Sequence, residues 1–219
     1  HDALPISVSI IAKLGPIAAF GVMLGGLALL MLAAAKAEKA RHGTLQGIFR
    51  PESRWITGPW SLIAGAAALA LVNIAVLLVQ GWPWGITSAF ALWGSKIAAF
   101  AGFMPSGWAY WKGQEAALAD PVLTDPVSVT NFGIILGAML ASILAGKFRP
   151  SLAIPLRSLA AAILGGLLLG IGARLGTGCN IGAFFSGTVS GSLHGWVWLV
   201  LAFAGNAVGV RLRPPFRLD

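Results

Sequence analysis

Five long apolar runs constrain the fold of this chain more than any other feature. Each is close to the ~20 residues that an α-helix needs to cross a bilayer. The runs are continuous rather than alternating, which favours helices over the strands of a membrane β-barrel. Charged residues make up only 10% of the chain, against about 25% in soluble domains. We therefore predict an all-α, polytopic helical membrane protein. The predicted spans are Pro16–Lys36, Pro59–Val79, Val127–Gly146, Leu156–Leu175 and Leu193–Val210.

The distribution of Lys and Arg predicts how these spans are oriented. Basic residues collect in loop 36–58, in loop 147–157 and in the tail from Arg211, whereas loop 104–126 is mainly acidic. Cytoplasmic loops of membrane proteins are rich in Lys and Arg, so we place the first three inside and the last one outside. The formal net charge of +8 then reflects membrane topology, and we expect no nucleic-acid partner. The predicted organisation is an N-terminal end of uncertain origin at 1–15, a membrane domain at 16–213 and a cytoplasmic tail at 214–219.

This orientation leaves segment 81–103 with both ends on the outer face. The segment must then enter the membrane and return, and Pro83, Gly85 and Gly94 are placed to interrupt its helix. A straight sixth span at 84–103 is the alternative, but it would put a basic loop outside. The same argument applies to 176–192. We predict about five spans plus two re-entrant helical segments.

The glycine-rich stretch 172–195 holds Cys179, the only cysteine of the chain. A helix broken at membrane depth is tolerated only where its backbone is buried in protein or lines a cavity. If a half-helix begins at this point, its free N–H groups would face an anion. Gly178, Asn180 and Gly182 would shape that backbone site, and the thiol would suit a soft sulfur- or selenium-bearing solute. The alternative is that the cysteine is simply a small buried hydrophobic residue.

Two cations and several hydroxyls complete the candidate pathway. Arg174 lies near the outer end of the fourth span and Lys96 lies in segment 81–103, and both would raise the local anion concentration. For each, the alternative is that the side chain reaches the headgroups. Thr87, Ser88 and Ser186 offer hydroxyl contacts to an oxyanion. The sequence has no metal-ligand spacing, nucleophile elbow or paired carboxylates, so we expect no metal, no cofactor and no catalytic residue, and hence no enzyme.

Several stretches of the chain resemble the YeeE/YedE family of inner-membrane sulfur-transport proteins. The resemblance covers about residues 15–213 and looks closest to the YedE-type branch, which is associated by name with selenium metabolism. It implies a helical permease of two pseudo-symmetric halves, in which central helical loops and conserved cysteines pass a thiosulfate-like ion inward. The glycine-flanked family cysteine matches Cys179. The matching stretches are Gly81–Gly94, Gly146–Pro150, Arg157–Leu159 and, as the most specific, Gly172–Gly187 followed by Gly191–Trp196.

The chain departs from the family pattern in two respects. Family members carry further cysteines in an N-terminal half, and the length here suits only the C-terminal portion, so we expect that an upstream half is missing. Asn-Ile-Gly follows Cys179, where the thiosulfate-type branch typically has Thr or Ala, then Ser-Gly. Both thiosulfate and selenium species therefore stay open as solutes.

These observations lead to one expected function and two alternatives. We expect a multi-pass permease of the bacterial inner membrane that takes up a small sulfur- or selenium-containing anion. The expected partners are the lipid bilayer, this anion and, by family analogy, a cytoplasmic TusA-type sulfur-carrier protein. One alternative is a membrane sulfur-relay or redox protein that forms a persulfide on Cys179. The other is a structural membrane subunit that transports nothing.

Overall fold

The computed structural model describes residues 8–43, 54, 56–58, 60–150 and 153–216. Within these ranges the chain is helical, and its only β-type pairing is an isolated antiparallel bridge between Ser9 and Ser192. Among the described residues, five helical segments are long and apolar enough to cross a membrane, and each overlaps one of the five predicted spans. This confirms the prediction of an all-α, multi-pass membrane protein. The candidate spans are Pro16–His42, Leu62–Gln80, Pro126–Leu144, Leu156–Val189, which contains a break, and Leu193–Arg211.

The helices are numbered in chain order. Short 3₁₀ turns at Pro105–Gly107, Ala109–Trp111 and Val122–Thr124 shape the long connection between α4 and α6. The α-helices are α1 (Ile10–Leu14), α2 (Pro16–His42), α3 (Leu62–Gln80), α4 (Thr87–Phe100), α5 (Ala116–Ala119), α6 (Pro126–Leu144), α7 (Leu156–Leu175), α8 (Ser186–Val189) and α9 (Leu193–Arg211), and a π-helix covers Asn180–Phe185.

Local sequence explains where the helices begin and end. Pro16 and Pro126 occupy first-turn positions, where a missing N–H costs nothing. Asp125 caps α6, because its carboxylate accepts the N–H of Ser128 at 2.8 Å. The predicted end of the first span at Lys36 is too early, since α2 continues to His42. Its last turns contain Glu38, Lys39 and Arg41, which are good helix formers although they are charged.

The chain divides into two compact units, the first comprising 1–75 with 183–219 and the second 76–182. In the first unit, the N–H of Ile10 donates to the carbonyl of Gly191 at 2.8 Å, so the segment before α2 pairs with the segment before α9. Helix α2 meets α9 where a Cβ at Gly26 would lie 2.6 Å from the Trp196 ring. The domain boundaries predicted at residues 15 and 213 stay predictions.

The second unit is organised around the contact of α4 with α6. Two buried serines accept hydrogen bonds from indoles: the Trp93 indole N–H donates to Ser128 Oγ at 2.8 Å, and the Trp111 indole N–H donates to Ser95 Oγ at 2.9 Å. Ser128 is fully buried and donates in turn to Asp125 Oδ2 at 2.6 Å. Each buried serine thus satisfies an indole, and together these bonds fix α4, which is only 14 residues long.

Away from these contacts, the long helices bury little of their surface within the chain. The buried share of the apolar windows ranges from 0% in α3 to 17% in α6. Large apolar side chains such as Leu78, Leu168 and Phe203 are exposed. A soluble protein could not display so much apolar surface, whereas the hydrocarbon of a bilayer is a good solvent for it.

Candidate functional site

Helix α7 ends in a strained turn directly before Cys179. The N–H of Gly178 donates to the carbonyl of Ala173 at 2.8 Å, which is the long hydrogen bond of a Schellman C-cap. This cap requires a left-handed residue, and here that residue is Thr177, with φ of 56°. A β-branched residue is rare in this region, and the conformation costs an L-residue about 1–2 kcal/mol.

Two other helices of the same unit end in the same way but without this strain. In α4 and α6 the left-handed position is held by Gly102 (φ 91°) and Gly146 (φ 65°). The residue after each glycine donates to the carbonyl five residues back, at 3.0 and 2.9 Å. Thr177 therefore occupies a position that the fold elsewhere gives to glycine. Among these three helix ends, the strain is found only at the one that precedes the cysteine.

The thiol that follows this turn is partly exposed. Cys179 is a free cysteine of intermediate burial, between a buried Gly178 and an exposed Asn180. It is thus not fully buried within this chain, as a purely space-filling cysteine would be. The backbone then enters the π-helix rather than an ordinary α-helix. Such π-helical turns are rare and occur frequently at functional sites. Gly182 lies in the π-helix with open space around its Cα.

Ser186 is the first residue of α8, and its hydroxyl is buried. Its Oγ has no hydrogen-bond partner within the described ranges, and neither has Oγ1 of Thr188, two residues later. Helix α9 approaches closely at Gly195, where an added Cβ would lie 2.7 Å from Thr188 Oγ1. Ser186 belongs to the first unit, whereas Gly178, Cys179, Asn180 and Gly182 belong to the second.

Arg174 contacts the loop that the charge distribution places outside. Its Nη2 donates to the hydroxyl of Tyr110 at 2.9 Å, and its guanidinium carbon lies 4.4 Å from the centre of the Tyr110 ring. The Tyr110 ring meets that of the buried Trp111 edge to face, with centroids 4.9 Å apart. Arg174 is therefore held one turn before the strained cap by a tyrosine that the sequence interpretation missed. The available signal was that this is the only tyrosine of the chain.

Lys96 has a clear structural task. Its Nζ donates to the carbonyls of Leu118 and Asp120 at 2.7 and 2.6 Å. These carbonyls end the short helix α5, where a cation is favourable. The ammonium thus uses two of its three donors to fix loop 104–126 on α4. It also borders a shallow open depression of about 330 Å³, whose other lining residues are Trp93, Ile97, Val122, Leu123 and Phe132.

Loop 104–126 also contains a stabilised carboxylate. The N–H groups of Glu115 itself and of Gly113 hold the pKa of the Glu115 carboxyl below its ordinary value. The bond from Gly113 is 3.0 Å long. Glu115 thus keeps its negative charge in loop 104–126, and the placement of this loop on the outer face stays a prediction. Within the described ranges no three His, Cys, Asp or Glu residues are grouped as metal ligands.

The start of α4 combines an uncapped helix with a buried amide. Thr87 is partly buried and Ser88 is exposed. Ile86 stands at the N-cap position and offers no side-chain cap. The carbonyl of Ile86 accepts a 3.0 Å hydrogen bond from Nδ2 of Asn131 on α6. Asn131 is only 3% exposed and was missed by the sequence interpretation, although an amide within an apolar span is a recognisable signal.

Comparison with known proteins places this arrangement in a family. The model of the Sulphur transport family matches residues 3–208. The "Probable transporter YedE" of Escherichia coli (strain K12) is 29% identical over 166 residues, 75% of this chain and 41% of the relative. The "Thiosulfate transporter TsuA" of Spirochaeta thermophila is 35% identical over 144 residues, 62% of this chain and 38% of the relative. No solved structure matches.

This chain spans about two fifths of the length of the curated relatives that it matches. The match of the family model, by contrast, runs through the first four spans, the stretch around Cys179 and most of the fifth span. The relatives are named as transporters, in agreement with the prediction that the chain is not an enzyme. The chain belongs to the Sulphur transport family, the YeeE/YedE family to which its glycine-rich cysteine motif pointed.

Proposed function

We propose that this chain forms part of a permease of the bacterial inner membrane that takes up a small sulfur- or selenium-containing anion. The observation that carries the proposal is the position of Cys179, the only thiol, partly exposed between a strained helix end and a π-helix. Sulfur is a soft, polarisable atom that can contact sulfur or selenium in a solute. The bilayer and this anion are the partners that the proposal requires.

The backbone around the thiol supplies the polar part of the proposed site. The break between α7 and the π-helix interrupts regular hydrogen bonding over residues 176–179. Peptide N–H groups at such a break can bind an anion without a fixed side-chain charge. Gly178, Asn180 and Gly182 would shape this site, with Ser186 further along the chain. Discontinuous helices with free termini build substrate sites in many transporters.

The two short helical segments fit a re-entrant path. Helix α4 has 14 residues and would be about 21 Å long, well below the ~30 Å of bilayer hydrocarbon. The π-helix and α8 are shorter still. We infer that both segments enter the membrane and return on the outer face. Thr87 and Ser88 would then lie at the start of one re-entrant helix, and such segments would form the constriction.

Arg174 and Lys96 would act at a distance in this proposal. Both side chains are engaged in the structure, Arg174 with Tyr110 and Lys96 with two carbonyls. Neither bond neutralises the positive charge, because the acceptors are a phenol and two peptide oxygens. The two cations would therefore still raise the concentration of anions at the outer mouth, and Arg174 would be the nearer of the two to Cys179 along the chain.

The test is uptake of radiolabelled thiosulfate and selenite, each measured separately, into cells that lack their own sulfur permeases. The cells express the full gene that contains this chain, either as wild type or with Cys179→Ala or Cys179→Ser. We expect both variants to lose uptake of at least one ion while their membrane level stays normal. Asn180→Ala should weaken uptake less, since a backbone site does not depend on the Asn side chain.

Other outcomes separate the proposal from its alternatives. Uptake that is unaffected in both Cys179 variants contradicts the proposed path and favours a structural subunit. No uptake by the wild type, together with a persulfide trapped on Cys179, favours a sulfur relay. We propose a TusA-type carrier protein as the cytoplasmic acceptor in that case and also downstream of a permease. A pull-down of such a carrier by the full-length protein tests this partner directly.

A further inference from the structure

The first turn of α4 presents hydrogen-bond donors that nothing in the helix can use. The first N–H groups of any α-helix lack carbonyl partners, and here they belong to Thr87, Ser88 and Ala89. Ile86 cannot cap them, since it has no side-chain oxygen. The positive end of the helix dipole lies at the same place. These groups favour an anion, but a helix start alone does not define a binding site.

Asn131 supplies the second, independent observation. It is 3% exposed, and its Nδ2 donates to the Ile86 carbonyl at 3.0 Å. This bond assigns the nitrogen and oxygen of the Asn131 amide, because a flipped amide would place Oδ1 against the Ile86 carbonyl oxygen. Its Oδ1 is therefore an acceptor, buried beside the start of α4, and it has no partner within the described ranges. A buried acceptor without a donor is costly, so this oxygen requires one.

A third unmatched group lies just before the helix. Trp84 is 8% exposed, and its indole N–H is buried without a partner among the described residues. It stands two residues before Ile86 in the chain. Residues 84–89 thus carry several unmatched donors, and Asn131, which is bonded to Ile86 of this stretch, carries one unmatched acceptor. A ligand that satisfies both kinds of group must itself accept and donate hydrogen bonds.

We propose that the start of α4 together with Asn131 is a binding site for an oxyanion that carries a proton, such as hydrogen selenite or hydrogen sulfite. Oxygens of the anion accept the N–H groups of Thr87 and Ser88, and its O–H group donates to Asn131 Oδ1. Thiosulfate, sulfate and selenate carry no proton near neutral pH and leave this oxygen unpaired. The inference refines the solute class of the proposed function and rests on it.

The neighbouring titratable groups leave the pH dependence to the ligand. Lys96 on α4 is bonded to two carbonyls of loop 104–126. Asp125 at the start of α6 is bonded to the N–H and hydroxyl of Ser128. Neither is bonded to Asn131 or to the first turn of α4. Affinity for selenite is therefore expected to fall as the pH rises and selenite loses its last proton.

The test measures binding directly by isothermal titration calorimetry of the purified full-length protein. A cysteine-free variant is the parent, because selenite oxidises thiols. Selenite and selenate are the two probes, since both are selenium oxyanions and only the first keeps a proton at neutral pH. We expect the parent to prefer selenite by about 10-fold or more, the effect of one hydrogen bond to a charged group. This preference should shrink at alkaline pH.

Two amide substitutions localise the effect. Asn131→Leu should abolish the preference for selenite. Asn73→Leu is the matched control, since Asn73 also has a buried unpaired Oδ1 but lies in the middle of α3, and it should keep the preference. Equal affinities of the parent for both ions, or a preference that survives Asn131→Leu, overturns the inference. If Asn131→Leu does not fold, the pH dependence of the cysteine-free parent is the test. A selenite affinity that stays constant as the pH rises overturns the inference.

The outcome for this site is separable from that of the proposed function. A protein that binds selenite with the expected preference but supports no uptake keeps the site and loses the permease. A protein that imports sulfur or selenium anions through Cys179 without any preference for a protonated ion keeps the permease and loses the site.

Discussion

Gly195→Ala should loosen the contact between α9 and the segment that ends in α8. A Cβ at this position would lie 2.7 Å from Oγ1 and 2.8 Å from the backbone nitrogen of Thr188, and 3.1 Å from the carbonyl oxygen of Phe184. Real Cβ atoms do not approach other heavy atoms so closely. Because two of these atoms are backbone, rotation of one side chain cannot relieve the clash. Helix α9 must move away instead.

The expected loss follows from two opposing terms. Overpacking of a tight contact costs about 1–3 kcal/mol. Alanine in a helix is more favourable than glycine by about 0.5–1 kcal/mol. The net effect of Gly195→Ala is then a destabilisation of about 0.5–2 kcal/mol. For chains of roughly this size, each kcal/mol shifts the midpoint of thermal unfolding by about 2–4 °C, so we expect Tm to fall by about 1–8 °C.

The same helix provides the control. Gly205 has no atom within 4 Å of the position of its Cβ, so Gly205→Ala gains helix propensity without a clash. Thermal unfolding of the purified proteins in detergent, followed by tryptophan fluorescence, should give a Tm at or above wild type for Gly205→Ala. If Gly195→Ala is as stable as Gly205→Ala, then α9 does not approach Thr188 as the structure shows, and the reasoning is refuted.

Three further predictions follow from contacts of the second unit. Thr177→Gly should raise Tm, because it removes a left-handed strain of about 1–2 kcal/mol; a lower Tm would contradict the turn. Tyr110→Leu should raise the KM for anion uptake several-fold with little change in maximal rate, and Tyr110→Phe should raise it less, since its ring still positions Arg174; an unchanged KM in the Leu variant would count against this role. Ser128→Ala should lower stability by about 1–3 kcal/mol, measured by the same thermal unfolding, because the Trp93 indole loses its buried acceptor; wild-type stability would show that water replaces it.

The spans could be read from the sequence because their length is set by the bilayer and not by tertiary contacts. The five apolar runs and the five candidate spans coincide for this reason. Helix ends were less predictable. The first span was predicted to end at Lys36, whereas helix α2 ends at His42. Hydropathy marks where apolar residues stop and not where the helix stops. The caps of α4 and α6 could be anticipated from Gly102 and Gly146, because glycine is the usual left-handed residue.

The candidate site was predictable only in its local part. Cys179 and its glycines are neighbours in sequence, so composition alone drew attention to them. The contact of Arg174 with Tyr110 joins residues 64 positions apart, and that of Asn131 with Ile86 joins residues 45 positions apart. Such pairs depend on how helices and loops pack, and no local pattern encodes them. Thr177 was missed for a different reason. A threonine at this place in the sequence suggests nothing unusual, and only its positive φ angle marks it as strained.

The unpaired buried groups concentrate where the two re-entrant segments are predicted. In the interior of a membrane no water can form a hydrogen bond with an unsatisfied polar atom, so burying such an atom costs much free energy. Ligand or water must therefore be expected wherever several such atoms lie together. Two of the helices involved, α4 and α8, are too short to cross a bilayer. The charge-based topology predicts that these two segments are re-entrant, and the short helices and most of the unmatched polar atoms found among the described residues lie in or against the same two segments. Among the described residues, the side chains in or bonded to these segments that carry a buried unpaired polar atom are Trp84, Asn131, Ser186 and Thr188, and those outside them are Asn73 and Gln80.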